Sequence, residues 1–383
     1  MAPGNRWKMR GQTVTRSSPH HGKAASGSLA DHALPYILQA RVDIAEPQNC
    51  LRHLCSHLKE DGVDIREDDG CFTVTLPRVT GSLRHDDGAI MVEATAADLE
   101  SLYFVKMWLQ ASVSQMAGNA PVKIEWNEDC RSLALPPSFC TLTVVRTAHV
   151  TPRMRRITFR VNGIERFESL NALHLQILVN FNEIAARQRR RPDIGKQDAE
   201  AADIVPIWRR YTVRSVDRAH GQFEVDFFLH HTDGPGARWA EQARPGDMVG
   251  AAGPSGGGIG AADWYLIAGD ETALPAIARI LEALPETAEG AVFIEVAGEA
   301  ERQRIDCPAD ITVHWLYRNA CANDPQPDLM DVIADVDFPP TDKSAFVWVG
   351  CEARTAKKIR THLRNERNLT KQQYLVVAYW HDH

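Results

Sequence analysis

The strongest constraint on the fold is a change of period along the chain. In the last third, apolar strand-like runs alternate with helical ones: "WYLIAGDE", "LPAIARILEALP", "AVFIEVAG", "ITVHWLYR", "SAFVWVGCE", "ARTAKKIRTHLRNERN" and "YLVVAYW". Strands this uniformly apolar need cover on both faces, so residues 261–383 are expected to form an α/β domain around a parallel sheet. Ahead of it, from Phe139, the runs are short and end in turn residues: "CTLTVVRTAHV", "MRRITFRV", "LHLQILVNF", "RRYTVRSV", "QFEVDFFLHH" and "DMVGAAG". That spacing predicts an antiparallel β-barrel over 139–260. A charged stretch, "NEIAARQRRRPDIGKQDAEAAD", interrupts the barrel and reads as a solvated loop.

The first third has a third pattern. A strand in "ALPYILQARVDI", a helix in "EPQNCLRHLCSHLKEDG", strands in "CFTVTLP" and "GAIMVEAT" and a helix in "AADLESLYFVKMWLQASVSQM" make a small α+β domain over 33–118. Residues 119–138 read as a tail strand and linker with a break at Pro136-Pro137, and residues 1–32 as a disordered arm without an apolar core. The chain is thus multi-domain.

Composition excludes several classes. A net charge of −7 argues against a general nucleic-acid binder. No apolar run approaches the ~18 residues that suggest a membrane span. Eight cysteines lie scattered with no CxxC pair, which points to reduced thiols in a cytoplasmic compartment. Cys50, His53, Cys55 and His57 share one helix, but Cys55 points away from the face that His53 and His57 share, so no metal site is expected.

"RRYTVR", Arg209 to Arg214, sets an aromatic ring beside a small hydroxyl within a basic strand. Period two places Arg209 and Tyr211 on the same side. "DFFLHHTDGPGARWAEQARPGD" then ends a strand at His230 and His231 and turns through Gly234-Pro235-Gly236 into a short helix near Ala237. A helix start approached through glycines offers free N–H groups and a positive dipole end to a phosphate. A structural corner is the alternative.

A barrel followed by an α/β domain resembles the ferredoxin-reductase architecture, whose flavin signature (arginine, any residue, tyrosine, serine or threonine) is matched by Arg209, Tyr211 and Thr212. More closely, "RRYTVR", "DFFLHH…GPGARWA…PGD…GPSG", "AGDETALPAI", "WVGCEARTAKKIRTHLR" and "AYWH" resemble the siderophore-interacting protein family in order and spacing over about 139–383. The resemblance implies FAD on the barrel, NADPH or NADH as electron donor on the α/β domain, and a ferric siderophore as the small-molecule substrate whose iron is reduced and released. Residues 33–118 resemble a small domain of unassigned function found fused to such reductases, which leaves room for a protein partner there.

For the site, the resemblance implies that Tyr211 covers a flavin face, Arg209 grips the pyrophosphate and Thr212 meets the flavin edge where hydride arrives, making Tyr211 and Thr212 the catalytic pair. The implied cofactor set adds Val213, Arg214, Asp226, Phe228, His230, His231, Gly234, Gly236, Ala237, Arg238, Trp239 and Thr272. Asp270 reads as a helix cap, while Glu299 and Arg302 read either as ribose and phosphate contacts or as a solvated loop. The family pattern departs at three places. Ala237 stands where a serine is usual, Ser255 where relatives often carry arginine, and Leu375 where a basic residue would be expected. Arg210, Arg214, Arg238 or the basic run Arg187 to Arg191 would have to attract an anionic chelate, or the chelate is less anionic. A general flavin or ferredoxin-type reductase and a non-catalytic siderophore-binding protein are the alternatives.

Overall fold

The computed structural model describes residues 36–60, 63–76, 78–86, 88–118, 122–127, 130, 135–189, 206–229, 234–318, 327–340 and 342–381. Residues 1–35, His230 and His231, and the basic run beyond Arg189 lie outside them.

The first third builds an antiparallel sheet in the order β2-β3-β4-β5-β1-β6. Its elements are β1 (Tyr36–Asp43), α1 (Pro47–Glu60), β2 (Asp64–Asp68), β3 (Cys71–Leu76), β4 (Val79–Asp86), β5 (Ala89–Ala96), α2 (Leu99–Met116) and β6 (Lys123–Trp126). Leu38, Ala40 and Val42 alternate inward on β1 and meet Leu51, Leu54 and Leu102 from the helices, so one sheet face is buried. β6 runs antiparallel to β1, with Val42 opposite Ile124. β2 and β4 have no counterpart in the sequence reading. β2 is the charged edge run DIRED, held by its ladder to β3 rather than by burial.

The middle of the chain closes into a barrel, β10-β11-β8-β7-β12-β9. Its parts are β7 (Cys140–Thr151), β8 (Met154–Arg160), β9 (His174–Leu178), α3 (Phe181–Arg189), β10 (Trp208–Asp217), β11 (Gln222–Phe228), α4 (Pro235–Gln242) and β12 (Met248–Ser255). The stretch expected to be a solvated loop begins instead as α3. Glu183, Ala185, Ala186 and Gln188 are good helix formers, and Phe181 packs on the barrel core, which outweighs the polarity of the run.

The last third is a parallel sheet in the order β15-β14-β13-β16-β17. It comprises β13 (Trp264–Asp270), α5 (Leu274–Leu281), β14 (Glu289–Val296), β15 (Ile311–Tyr317), α6 (Leu329–Asp335), β16 (Ala345–Glu352), α7 (Ala353–Asn365) and β17 (Tyr374–Trp380). The chain leaves β13 in one direction for β14 and β15 and returns to its other side for β16 and β17. That reversal opens a crevice at the carboxyl ends of β13 and β16, where ligands of open α/β sheets bind. α6 was not foreseen; a capping box between Asp328 and Asp331 starts it.

Barrel and α/β domain are joined by buried polar contacts. Arg279 on α5 donates to the carbonyls of Val213 at 2.8 Å and Phe167 at 2.7 Å. Burial, reinforced by nearby Arg214, lowers its pKa to about 10, so it remains a cation at neutral pH. Arg214 pairs with Glu282 at 2.8 and 2.5 Å, and Thr151 donates to Glu301 at 2.5 Å. These bonds fix the crevice of the sheet against the mouth of the barrel.

Candidate functional site

A cavity of about 1140 Å³ opens where β9, β10 and the start of α4 face the carboxyl ends of β13, β16 and β17. It exceeds the usual size range of small-ligand pockets, roughly 300–1,000 Å³, as an extended dinucleotide requires.

The barrel wall follows from strand alternation. Arg209 and Tyr211 both approach Gly236 in the first turn of α4: a Cβ there would collide with the Tyr211 hydroxyl and lie 3.5 Å from Arg209 Cγ. The glycine therefore lets a buried phenol and a guanidinium stem close over the helix start. Tyr211 packs on Phe227 with ring centroids 4.2 Å apart, and burial drives its phenol pKa up, so it is neutral at any physiological pH. The Arg209 guanidinium donates to the Trp208 carbonyl at 2.9 Å. Gly234, Pro235, Gly236 and Ala237 line the cavity, and α4 has no side-chain cap, which leaves the N–H groups of Gly236 and Ala237 at the cavity wall without an intrahelical acceptor. Asp226 and Phe228 complete this wall. Asp226 is buried and held by Arg156 through bonds of 2.6 and 2.8 Å.

Thr212 sits beside the hydroxyl of Tyr379, which reaches over from β17. That hydroxyl hydrogen-bonds His174 Nε2 at 2.5 Å. Register explains the meeting, because His174 on β9 lies opposite Thr212 on β10. Burial, with Arg210 and Arg279 nearby, lowers the His174 pKa to about 4 and leaves a neutral imidazole. Arg210 projects from the same strand into this region and also borders a second cavity of about 270 Å³ with Arg360 and His381. Among the described residues the exposed Arg210 side chain has no hydrogen bond or ion pair.

The α/β wall is acidic. Glu271 is almost fully buried and bound by Arg318, which also donates to Glu295 at 2.7 Å. Asp270 is not the cap that the sequence suggested: the cap position is Ala273, and the Asp270 carboxylate instead accepts the Thr272 N–H at 2.9 Å, the Thr272 hydroxyl at 2.5 Å and the Trp380 indole at 2.7 Å. Burial raises its pKa, an effect that those donors oppose.

Of the expected site residues, Arg209, Tyr211, Thr212, Asp226, Phe228, Gly234, Gly236, Ala237 and Thr272 meet on the cavity. Four others do not line it. Val213 belongs to the barrel core, Trp239 stacks on Phe159 at 6.2 Å, Arg214 is paired with Glu282, and Arg238 is exposed on α4. Arg302 lies over the Trp315 ring at 5.8 Å. Residues not singled out in the sequence also line the cavity: His174, Gln176, Trp208, Glu295, Arg318 and Tyr379. A signal for two of them existed, since His174 and Gln176 are the polar members of an otherwise apolar alternation, "LHLQIL".

Among the described residues no three histidine, cysteine or acidic side chains converge as a metal site, and no helix is long and apolar enough to cross a membrane. Cys55 is buried while His53 is exposed.

A closed antiparallel barrel ahead of a parallel sheet, with this cleft between them, is a ferredoxin-reductase-like architecture. Three family models match in succession: an uncharacterized protein conserved in bacteria over 39–127, the siderophore-interacting FAD-binding domain over 143–258 and the siderophore-interacting protein over 262–383. The ferric vibriobactin reductase ViuB of Vibrio cholerae is 31% identical over 242 residues, 62% of this chain and 88% of that protein. The NADPH-dependent ferric-chelate reductase of Escherichia coli is 25% identical over 63% of this chain and 93% of that one. Among solved structures, a siderophore utilization protein from T. fusca is 34% identical, with a TM-score of 0.52 over 63% of this chain and 92% of that one. The chain belongs to the siderophore-interacting protein family.

Proposed function

We propose that this protein is an FAD-dependent reductase that takes electrons from NADH or NADPH and delivers them to a ferric siderophore, releasing Fe(II). The observation that carries the reading is the convergence of Arg209, Tyr211 and Thr212 on the uncapped, glycine-lined start of α4 inside the large cleft. The residues fit the cofactor. The α4 N–H groups and the Arg209 guanidinium would hold the pyrophosphate, replacing the hydroxyl that Ala237 lacks. The Tyr211 ring would cover one flavin face, and Thr212 would donate to its edge. Bound FAD supplies the ability to accept two electrons as hydride and to release them singly.

The protein's own work is binding, orientation and exclusion of water. Tyr379 and His174 fix the Thr212 hydroxyl from behind, and both are neutral, so they place a hydrogen bond without adding charge at the flavin edge. Arg210 is the cation that compensates for Ser255 and Leu375: it borders both the main cleft and the small second cavity, where its charge would attract an anionic chelate. Arg214 does not take this part, because Glu282 neutralises it. The ferric substrate named for the relatives above supports this assignment.

The test is anaerobic turnover of ferric chelates by protein loaded with FAD, with a ferrous trap as reporter and with NADH and NADPH in parallel. Reduction of a ferric siderophore that is slower in Arg210→Ala, through a raised KM, supports the reading. Turnover of free flavin or ferredoxin alone, with ferric chelates inert, overturns it.

A further inference from the structure

The first domain meets the barrel through α2, and this contact has two parts. Glu100, in the opening turn of α2, accepts two hydrogen bonds from Ser138, from its backbone N–H at 3.0 Å and its hydroxyl at 2.6 Å. The same hydroxyl accepts the Gly253 N–H at 2.7 Å, and Arg166 holds the Ser138 carbonyl at 3.0 Å. A carboxylate of the first domain thereby reaches β12 of the barrel through a single serine. Gly253 adopts a left-handed φ of +107°, and a Cβ there would press on the His174 carbonyl at 3.3 Å, so this contact ends beside a residue of the cleft.

The second part is aromatic. Tyr103, 1% exposed, meets Trp208 edge-on with centroids 6.4 Å apart at 84°. Phe139 crosses the same indole at 6.4 Å and 87°, so Trp208 is boxed by two rings. Trp208 opens β10, lines the cleft and precedes Arg209. α2 therefore grips β10 and β12, the two strands that flank β9, and β9 carries His174 and Gln176 into the cleft. The Tyr103 hydroxyl and Trp208 Nε1 are both buried and face each other, the indole N–H directed toward the phenol oxygen without a well-aligned hydrogen bond. A poorly aligned buried polar pair adds little stability, so the contact acts to place the indole.

We propose that the first domain braces the cofactor cleft: Tyr103 positions the Trp208 wall on β10 and Glu100, acting through Ser138, positions the β12 wall. The inference rests on the reading of the cleft as the FAD site. It gives the first domain a task that its own residues, with no metal cluster among those described, do not otherwise suggest. Tyr103 and Glu100 are positioning residues, since neither lines the cavity.

The experiment is FAD titration of full-length apoprotein by quenching of flavin fluorescence, with visible circular dichroism of the bound cofactor as a second readout. Tyr103→Ala and Glu100→Ala are each expected to weaken FAD by roughly tenfold and to change the flavin's dichroic signal. Tyr103→Phe keeps the ring that meets Trp208 and removes only the oxygen facing the indole N–H, so it should weaken FAD much less than Tyr103→Ala. Phe72→Leu, in the core of the first domain but on β3, should lower Tm and leave FAD affinity and dichroism unchanged. If wild type takes up FAD and both α2 variants match it, the brace is refuted while the cofactor reading stands. Equal weakening in Phe72→Leu also refutes it, by reducing the effect to general destabilisation. Wild-type protein that binds no FAD removes both.

Discussion

Gly236→Ala isolates the geometry on which the proposed cofactor site depends. The glycine has no left-handed backbone conformation to protect, so the effect of a methyl group is steric. It would strike the Tyr211 hydroxyl and stand 3.2 Å from Tyr211 Cζ and 3.5 Å from Arg209 Cγ. Tyr211 cannot yield inward, because Phe227 fills the barrel side with its centroid 4.2 Å away. Overpacking of this kind costs roughly 1–3 kcal/mol. If the phenol is displaced into the cleft, that cost falls on the cofactor and weakens FAD by about 5- to 140-fold. The assay is titration of apoprotein with FAD in a double-mutant cycle with Tyr211→Phe. Removing the hydroxyl removes the nearest clash, so Gly236→Ala should cost less when combined with Tyr211→Phe than it does alone. Wild-type affinity in Gly236→Ala, or an identical cost in both backgrounds, would refute the reasoning.

Other expectations follow from the same contacts. The neutral His174 binds fewer protons in the folded state than in the unfolded one between about pH 4 and 6.5, so it lowers stability as pH falls through that window, by at most ~3 kcal/mol. Urea denaturation of apo His174→Gln should show a flatter pH dependence than wild type, and parallel curves would contradict this. Arg318→Ala leaves the buried Glu271 facing Glu295 without their shared cation and should cost roughly 1–3 kcal/mol, with Glu271→Gln restoring part of the Tm. Arg214→Ala should lower Tm while leaving FAD affinity within about twofold of wild type, because the side chain joins the domains at Glu282 rather than facing the cleft.

The three-part architecture was legible because each part has its own period. Continuous apolar runs separated by helices admit few solutions other than a covered parallel sheet, and short runs ended by turn residues predict a closed antiparallel one. The elements missed carry too little apolar periodicity to read, such as the charged edge strand β2 and the short helix α6, whose buried Leu329 and Ile333 set no repeat by themselves. Part of the cavity wall was readable for a related reason: Arg209, Tyr211 and Gly236 are placed there by strand alternation and a helix start, both local properties. His174 and Tyr379 lie 205 residues apart and meet only through register and domain docking, which no local pattern encodes. Arg214 shows the opposite error. It continues the strand pattern, yet its partner Glu282 arrives from a different domain and removes it from the site.

The most direct test of the central claim is the absorption spectrum of the protein as gently purified or supplied with FAD, recorded before and after anaerobic NADPH or NADH and again after a ferric siderophore. The visible flavin bands should be present, bleach with the nicotinamide and return as ferrous iron is trapped. A colourless protein that takes up no FAD, or a bound flavin that the ferric chelate fails to reoxidise, would contradict the account.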